Sequence, residues 1–208
     1  MIDKKQKITI YIDGFNLYYG VRSLGQFYKW LDILALTKSF VKEKNSILTV
    51  KYFTAKLNGS NESIHRQAIY LDAIVKHSPS VKIIYGYFIK SKKCKNCDTK
   101  NNEEKQTDVN IACEIMQDVY EDNFDIAYLV SGDSDLVTPV KKALALDKIM
   151  IIAFPPNRKS KHLIKVANND FNIDENLLKK CQLPDAIPTK RSFLQRPEKW
   201  QKQIKGVN

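Results

Sequence analysis

The chain has 208 residues, 43% of them hydrophobic and 27% charged, which suits one well-buried domain and leaves too little length for two ordinary ones. Its 34 Lys and Arg against 23 Asp and Glu give a net charge of +11, and a surface that basic concentrates polyanions, nucleic acid first among them. No apolar run reads as long enough to span a bilayer, and neither a basic amphipathic helix nor a signal-peptide region is legible at the ends. The sequence therefore points away from a membrane partner and toward the cytoplasm.

In chain order, Ile8-Thr9-Ile10-Tyr11-Ile12 reads as a first strand ending in Asp13-Gly14-Phe15-Asn16. Residues 30–41 carry apolar side chains at three- and four-residue spacing and read as a helix. Residues 47–57, rich in Val, Thr, Tyr and Phe, read as a second strand. A turn at 58–61 leads into a helix to about His77, stopped by Pro79. Residues 81–88 form the third strand, followed by a polar, basic excursion at 90–105 that is expected to be irregular. A helix opens at Asp108, with Val109, Ala112, Cys113, Met116, Val119 and Tyr120 on its apolar face. Residues 125–130 form a strand ending in Ser131-Gly132-Asp133-Ser134-Asp135, then a helix to Leu146 that tolerates Pro139 in its first turn. A strand at 148–154 ends in Pro155-Pro156, a helix starts near residues 157–160, and residues 171–173 read as a short edge strand. This alternation predicts an α/β fold with a mostly parallel sheet covered by helices on both faces. Beyond Pro184 the pattern weakens into a basic appendage, expected to be partly disordered with Trp200 as an anchor.

Asp13, Asp108, Asp133 and Asp135 all stand at strand or helix ends, where open α/β sheets build their sites. Converging carboxylates repel one another unless a cation neutralises them. Hard oxygen donors suit Mg²⁺ or Mn²⁺, and such ions support attack of water on a phosphodiester. Each acid also has a plainer reading. Asp133 or Ser134 caps a helix, Asp108 is a first-turn acid, and Asp13-Gly14 is a turn. The combination of acids at three element ends in a basic protein favours the metal site. Arg158, Lys159 and Lys161 follow a strand end and are placed to hold phosphates, with Ser160 beside them.

Tyr11-Ile12-Asp13-Gly14-Phe15-Asn16, Glu104-Lys105-Gln106-Thr107-Asp108 and Leu129-Val130-Ser131-Gly132-Asp133-Ser134-Asp135 together resemble, in this order, the NYN domain of the PIN-like nuclease superfamily. The resemblance is closest to the LabA-like bacterial branch and spans about residues 7–185 by motif order. It implies a Rossmann-like PIN fold over residues 1–185, with a Cys-containing basic insertion at 90–105 and a basic tail at 186–208. It also implies a divalent-metal nuclease, with Asp13, Asp108, Asp133 and Asp135 as catalytic and metal-site acids. Asn16 would orient substrate or a metal-bound water, and Ser131 or Ser134 would hydrogen-bond a carboxylate or a phosphate. RNA is favoured over DNA on family grounds alone, as a single strand cut internally, and a homodimer is compatible with the reading. The rival is a regulatory RNA-binding protein with the same fold and little or no cleavage. A phosphatase of the Asp-x-Asp type is a poor alternative, because Asp13 lacks a second Asp two residues on. A dinucleotide-dependent enzyme is poorer still, because Gly14 is not followed by a glycine-rich fingerprint.

Cys94-Lys95-Asn96-Cys97 has half of a zinc-site spacing. Two ligands alone bind zinc weakly, so the unmetallated pair is favoured over zinc. Lysines crowd the same excursion, and basic residues near aromatics suit a single strand. The aromatics before it, Tyr85, Tyr87 and Phe88, read as core residues of the strand. Cys113 and Cys181 read as buried thiols, and His65, His77 and His162 as surface or packing residues.

Overall fold

The computed structural model describes residues 5–41, 46–57, 61–90 and 102–202. β1 (Gln6–Asp13) opens a seven-stranded sheet and is followed without a loop by α1 (Gly14–Leu24). α2 (Ile33–Phe40), β2 (Ser46–Ala55), α3 (Asn61–His77) and β3 (Val81–Lys90) continue the alternation. The short strand β4 (Asn102–Lys105) pairs antiparallel with β3 and delivers the chain to α4 (Thr107–Tyr120). β5 (Ile126–Val130), a 3₁₀ turn (Ser134–Leu136), α5 (Val137–Leu144), β6 (Ile149–Phe154), α6 (Lys161–Ile164), β7 (Asn169–Asn172) and α7 (Glu175–Lys180) complete the layer structure.

The sheet order is β4-β3-β2-β1-β5-β6-β7, with every pair parallel except β3 and β4. Two-residue alternation of side chains sorts β1 between two cores. Ile8, Ile10 and Ile12 join Leu17 and Val21 of α1 and Leu36 of α2 on one face. Tyr11 on the other face joins Ile111 and Ile115 of α4 and Val140 of α5. Burial on both faces explains why β5 is a continuous apolar run, all five residues of which are buried. Pro139 lies in the first turn of α5, as its missing amide requires.

The chain runs outward from β1 through β2, β3 and β4, then returns to add β5, β6 and β7 on the opposite side of β1. The crevice between the C-terminal ends of β1 and β5 is therefore the topological switch point of the sheet, where α/β folds place ligands. Both strands end there in acidic sequences.

Four expectations are corrected. The basic excursion ends in β4, which an apolar pattern could not reveal, because Asn-Glu-Glu-Lys is an edge strand with none. The described part of the segment beyond Pro184, residues 185–202, forms a hairpin of β8 (Ala186–Pro188) and β9 (Phe193–Gln195) that packs against α3, and residues 203–208 of the expected partly disordered tail lie outside the described residues. Trp200 is buried against Trp30 and Ile187, and the buried Arg196 guanidinium donates to the Phe27 carbonyl, to Gln182 and to Asp185. Tyr85 and Tyr87, expected in the core, are about half exposed. On α4, Val109, Cys113 and Tyr120, read on the apolar face, are exposed, and Ile111 and Ile115 pack beside Val119 instead, while Cys181 is buried as expected. Among the described residues no helix is long and apolar enough to cross a membrane.

Candidate metal centre at the switch point

The last residue of β1, Asp13, caps α1: its Oδ1 accepts the Asn16 amide at 2.9 Å. Strand register pairs Ile12 with Val130, so the next residues, Asp13 and Ser131, stand opposite one another. The fully buried Ser131 hydroxyl donates to Asp13 Oδ2 at 2.9 Å and accepts the Asp133 amide at 3.0 Å. Asn16 closes the same bracket, its Oδ1 accepting the Gly132 amide at 3.0 Å. Two strand ends distant in sequence are thus joined by a serine and an asparagine, which fix the Asp13 carboxylate beside the loop that carries Asp133.

Gly132 permits that closure. A Cβ at this position would lie 1.6 Å from the Arg158 carbonyl oxygen, so only glycine lets the loop after β6 approach the loop after β5. Gly14 is bound in the same way on the other side, since a Cβ there would lie 2.4 Å from the Phe53 carbonyl and 2.8 Å from the Tyr52 ring. Burial raises the Tyr52 phenol pKa above its ordinary value, and the negative charge of Asp13 reinforces the shift.

The other candidates fall around this bracket. Asp133 Oδ1 accepts the Asp135 amide at 3.0 Å, so Asp133 does cap the 3₁₀ turn, while Asp135 itself is exposed. Asp108 is half-buried in the first turn of α4, a helix that packs against the 3₁₀ turn after β5. Ser134 is exposed at the start of that turn. Arg158 places its guanidinium over the Tyr19 ring of α1, 5.5 Å from the centroid. The Lys159 ammonium lies 3.5 Å from Asp170 and beside the Phe154 ring. Ser160 is buried and caps α6 by accepting the Leu163 amide, so its hydroxyl serves the helix. Cys94 and Cys97 lie outside the described residues.

Among the described residues, no group of three or more His, Cys, Asp or Glu side chains is arranged to hold a metal ion. The bracket unites Asp13 with the Asp133 loop, and the four acids do not form one ready-made cage. Two carboxylates nevertheless fit the donor chemistry of Mg²⁺ or Mn²⁺, which take one or two protein carboxylates and complete their shell with water and phosphate oxygens.

Sequence reading passed over α1, whose outer face matters to the site. Tyr18, Tyr19 and Phe15 of this helix, with Tyr52, Tyr70 and Trp200, line a cleft of about 380 Å³ that begins at Gly14, the residue after Asp13. The signal was present in Leu17, Gly20, Val21 and Leu24 at helical spacing, directly after a capping Asp.

The NYN domain matches residues 7–174 of the chain. A Pseudomonas putida (strain DSM 28022 / S16) protein, 6-hydroxy-3-succinoylpyridine 3-monooxygenase HspA, is 30% identical over 93% of this chain and 75% of its own length. Among solved structures, a protein of unknown function from Vibrio parahaemolyticus RIMD 2210633, VPA0982, shares the fold with a TM-score of 0.59. That similarity is at 21% identity and covers 85% of this chain and 98% of the Vibrio chain. The match over residues 7–174, on a sheet whose switch point carries Asp13 and Asp133, means that the chain belongs to the NYN domain family of the PIN-like nuclease superfamily.

Proposed function

We propose that this NYN protein is a Mg²⁺- or Mn²⁺-dependent nuclease that cuts single-stranded RNA internally. The observation that carries the reading is the hydrogen-bonded bracket that holds Asp13 beside the Asp133 loop at the switch point. Family membership supports a nuclease-type function, and the net charge of +11 supports a polyanionic substrate.

Asp13 and Asp133 would hold the metal, and Asp108 and Asp135 are proposed to contribute through water. A bound divalent ion supplies an activated water and a Lewis acid for the phosphate. The chain's own part is positional. Ser131 and Asn16 fix the carboxylate of Asp13 before substrate arrives, so little reorganisation is required at the moment of reaction. Gly132 lets the Arg158 loop close on the acids, and Arg158 and Lys159 offer positive charge to the strand's phosphates.

The test is cleavage of end-labelled single-stranded RNA and DNA with Mn²⁺, Mg²⁺ or EDTA, with Asp133→Asn run beside the wild type. Metal-dependent internal cleavage of RNA that disappears in the variant supports the proposal. Binding without cleavage under every condition refutes it and supports the regulatory RNA-binding alternative. The name of the Pseudomonas relative offers a second reading, oxidation of a small aromatic acid, which the aromatic-lined cleft beside Asp13 favours. Consumption of oxygen on addition of a hydroxypyridine acid with an electron donor would support it.

A further inference from the structure

The cleft beside α1 carries an unusual charge. Arg22, Lys29, Arg66 and Lys199 line it, and among the described residues no Asp or Glu does. Three of these cations are of a kind found on any basic surface: Arg22 and Lys199 are exposed, and Arg66 pairs with Glu62 one helical turn away. Lys29 is different. Only 7% of it is exposed, and its ammonium donates to the Tyr18 hydroxyl at 3.0 Å while facing the rings of Tyr18 at 4.7 Å and Trp200 at 6.0 Å. Among the described residues no carboxylate pairs with it. Buried ammonium groups are costly unless paired, and aromatic faces offset only part of that cost.

The rest of the wall specifies what the anion is attached to. Tyr18, Tyr52, Tyr70 and Trp200 give flat apolar faces around a cleft of about 380 Å³, in the range that encloses a small planar molecule. A series of contacts links the cleft to the acids. Tyr19 lines the cleft, Arg158 stacks on Tyr19, and the Arg158 carbonyl packs against Gly132 between Ser131 and Asp133. At the near end Gly14 joins the cleft to Asp13.

We propose that this cleft seats one nucleotide of the single strand next to the scissile phosphate, its base against the tyrosine and tryptophan faces and its phosphate on Lys29 and Arg66. The proposal deepens the nuclease reading and rests on it for the identity of the strand. Stacking explains the aromatic wall, and four cations exceed what one small carboxylate requires and match a run of phosphates. Because every base has a flat face, the cleft favours single strands over duplex without strong base preference.

The test uses the tryptophan fluorescence of the full chain in EDTA, where no metal-dependent cleavage interferes. Nucleoside monophosphates, a short oligouridylate, inorganic phosphate and benzoate are titrated separately. The expected result is saturable quenching, tightest with the oligonucleotide, weaker with the monophosphates, and weakest with phosphate and benzoate. Lys29→Met should weaken oligonucleotide binding at least tenfold and Arg66→Gln several-fold, with far-UV circular dichroism unchanged. Arg66 is partly exposed and pairs with the exposed Glu62, so its variant keeps the test decisive if Lys29→Met fails to fold. Unchanged affinity in the folded variants, or benzoate binding tighter than the nucleotides, overturns the proposal. Cleavage is scored separately on the same proteins. Binding as expected without cleavage by the wild type refutes the nuclease reading alone, whereas cleavage with affinity indifferent to both variants refutes the cleft alone.

Discussion

Replacing Ser131 with Ala removes the centre of the bracket and almost nothing else. The hydroxyl is fully buried, donates to Asp13 Oδ2 at 2.9 Å and accepts the Asp133 amide at 3.0 Å. A hydrogen bond to a charged acceptor contributes about 1.5–3 kcal/mol, and a buried amide left without an acceptor costs about 1–3 kcal/mol. The Asp133 amide is only partly buried, so water recovers some of its loss, and Asp13 keeps its bond from the Asn16 amide. The net destabilisation should be about 3 kcal/mol. For a domain of this size that corresponds to a fall in Tm of about 6–12 °C. Urea denaturation measures it directly, and the midpoint should fall with the slope unchanged, because no extra surface is exposed in either end state. A loss below about 1 kcal/mol would show that the serine does not hold the two strand ends together. Ser131→Cys, with a weaker donor of similar shape, should fall between the two proteins.

Other perturbations probe separate parts of the structure. Gly132→Ala forces a methyl group to within 1.6 Å of the Arg158 carbonyl, and should cost about 1–3 kcal/mol or more through displacement of the loop after β6; urea midpoints and RNA affinity should fall together. Trp200→Ala, which empties a site buried between Trp30 and Ile187, should cost about 3–5 kcal/mol by thermal denaturation, and a neutral result would mean that the hairpin is not part of the cooperative unit. Hydrogen bonds from Lys148 and then Lys7, with the charges of the same lysines, hold the Asp122 carboxyl below its ordinary pKa. Its contribution is therefore complete above the ordinary carboxylate range and is lost as pH falls through its depressed value; Lys148→Met should flatten that part of the acid stability profile relative to the wild type.

Much of this architecture is legible in the sequence because burial on both faces writes continuous apolar runs. Ile8-Thr9-Ile10-Tyr11-Ile12 and Ile126-Ala127-Tyr128-Leu129-Val130 announce the two central strands, and the acids that end them announce the switch point. The capping role of Asp133 is equally local, since it needs only the Asp135 amide two residues on. What escapes the sequence is non-local. The helical spacing of α1 is local, but what requires its Gly20, the approach of Pro155 just after β6, is not. The segment beyond Pro184 looks like a solvated basic tail by composition, yet Arg196 finds acceptors at Phe27, Gln182 and Asp185 that no local pattern encodes. Lys29 likewise reads as one surface lysine among many, and only the fold reveals that it is buried in the lining of a cleft with no carboxylate partner among the described residues. The bracket itself combines both kinds of information: Asp13 and Ser131 are visible as strand ends, and their contact follows only once β1 and β5 are adjacent.

The most direct test of the central claim is a Mn²⁺ titration followed by electron paramagnetic resonance, in which the signal of free ion disappears as it binds. The wild type should show saturable binding that Asp13→Asn and Asp133→Asn each weaken at least tenfold, while Asp122→Asn, an exposed acid that pairs with Lys7 and Lys148, leaves it unchanged. Equal affinity in all four proteins would contradict a metal centre at the switch point.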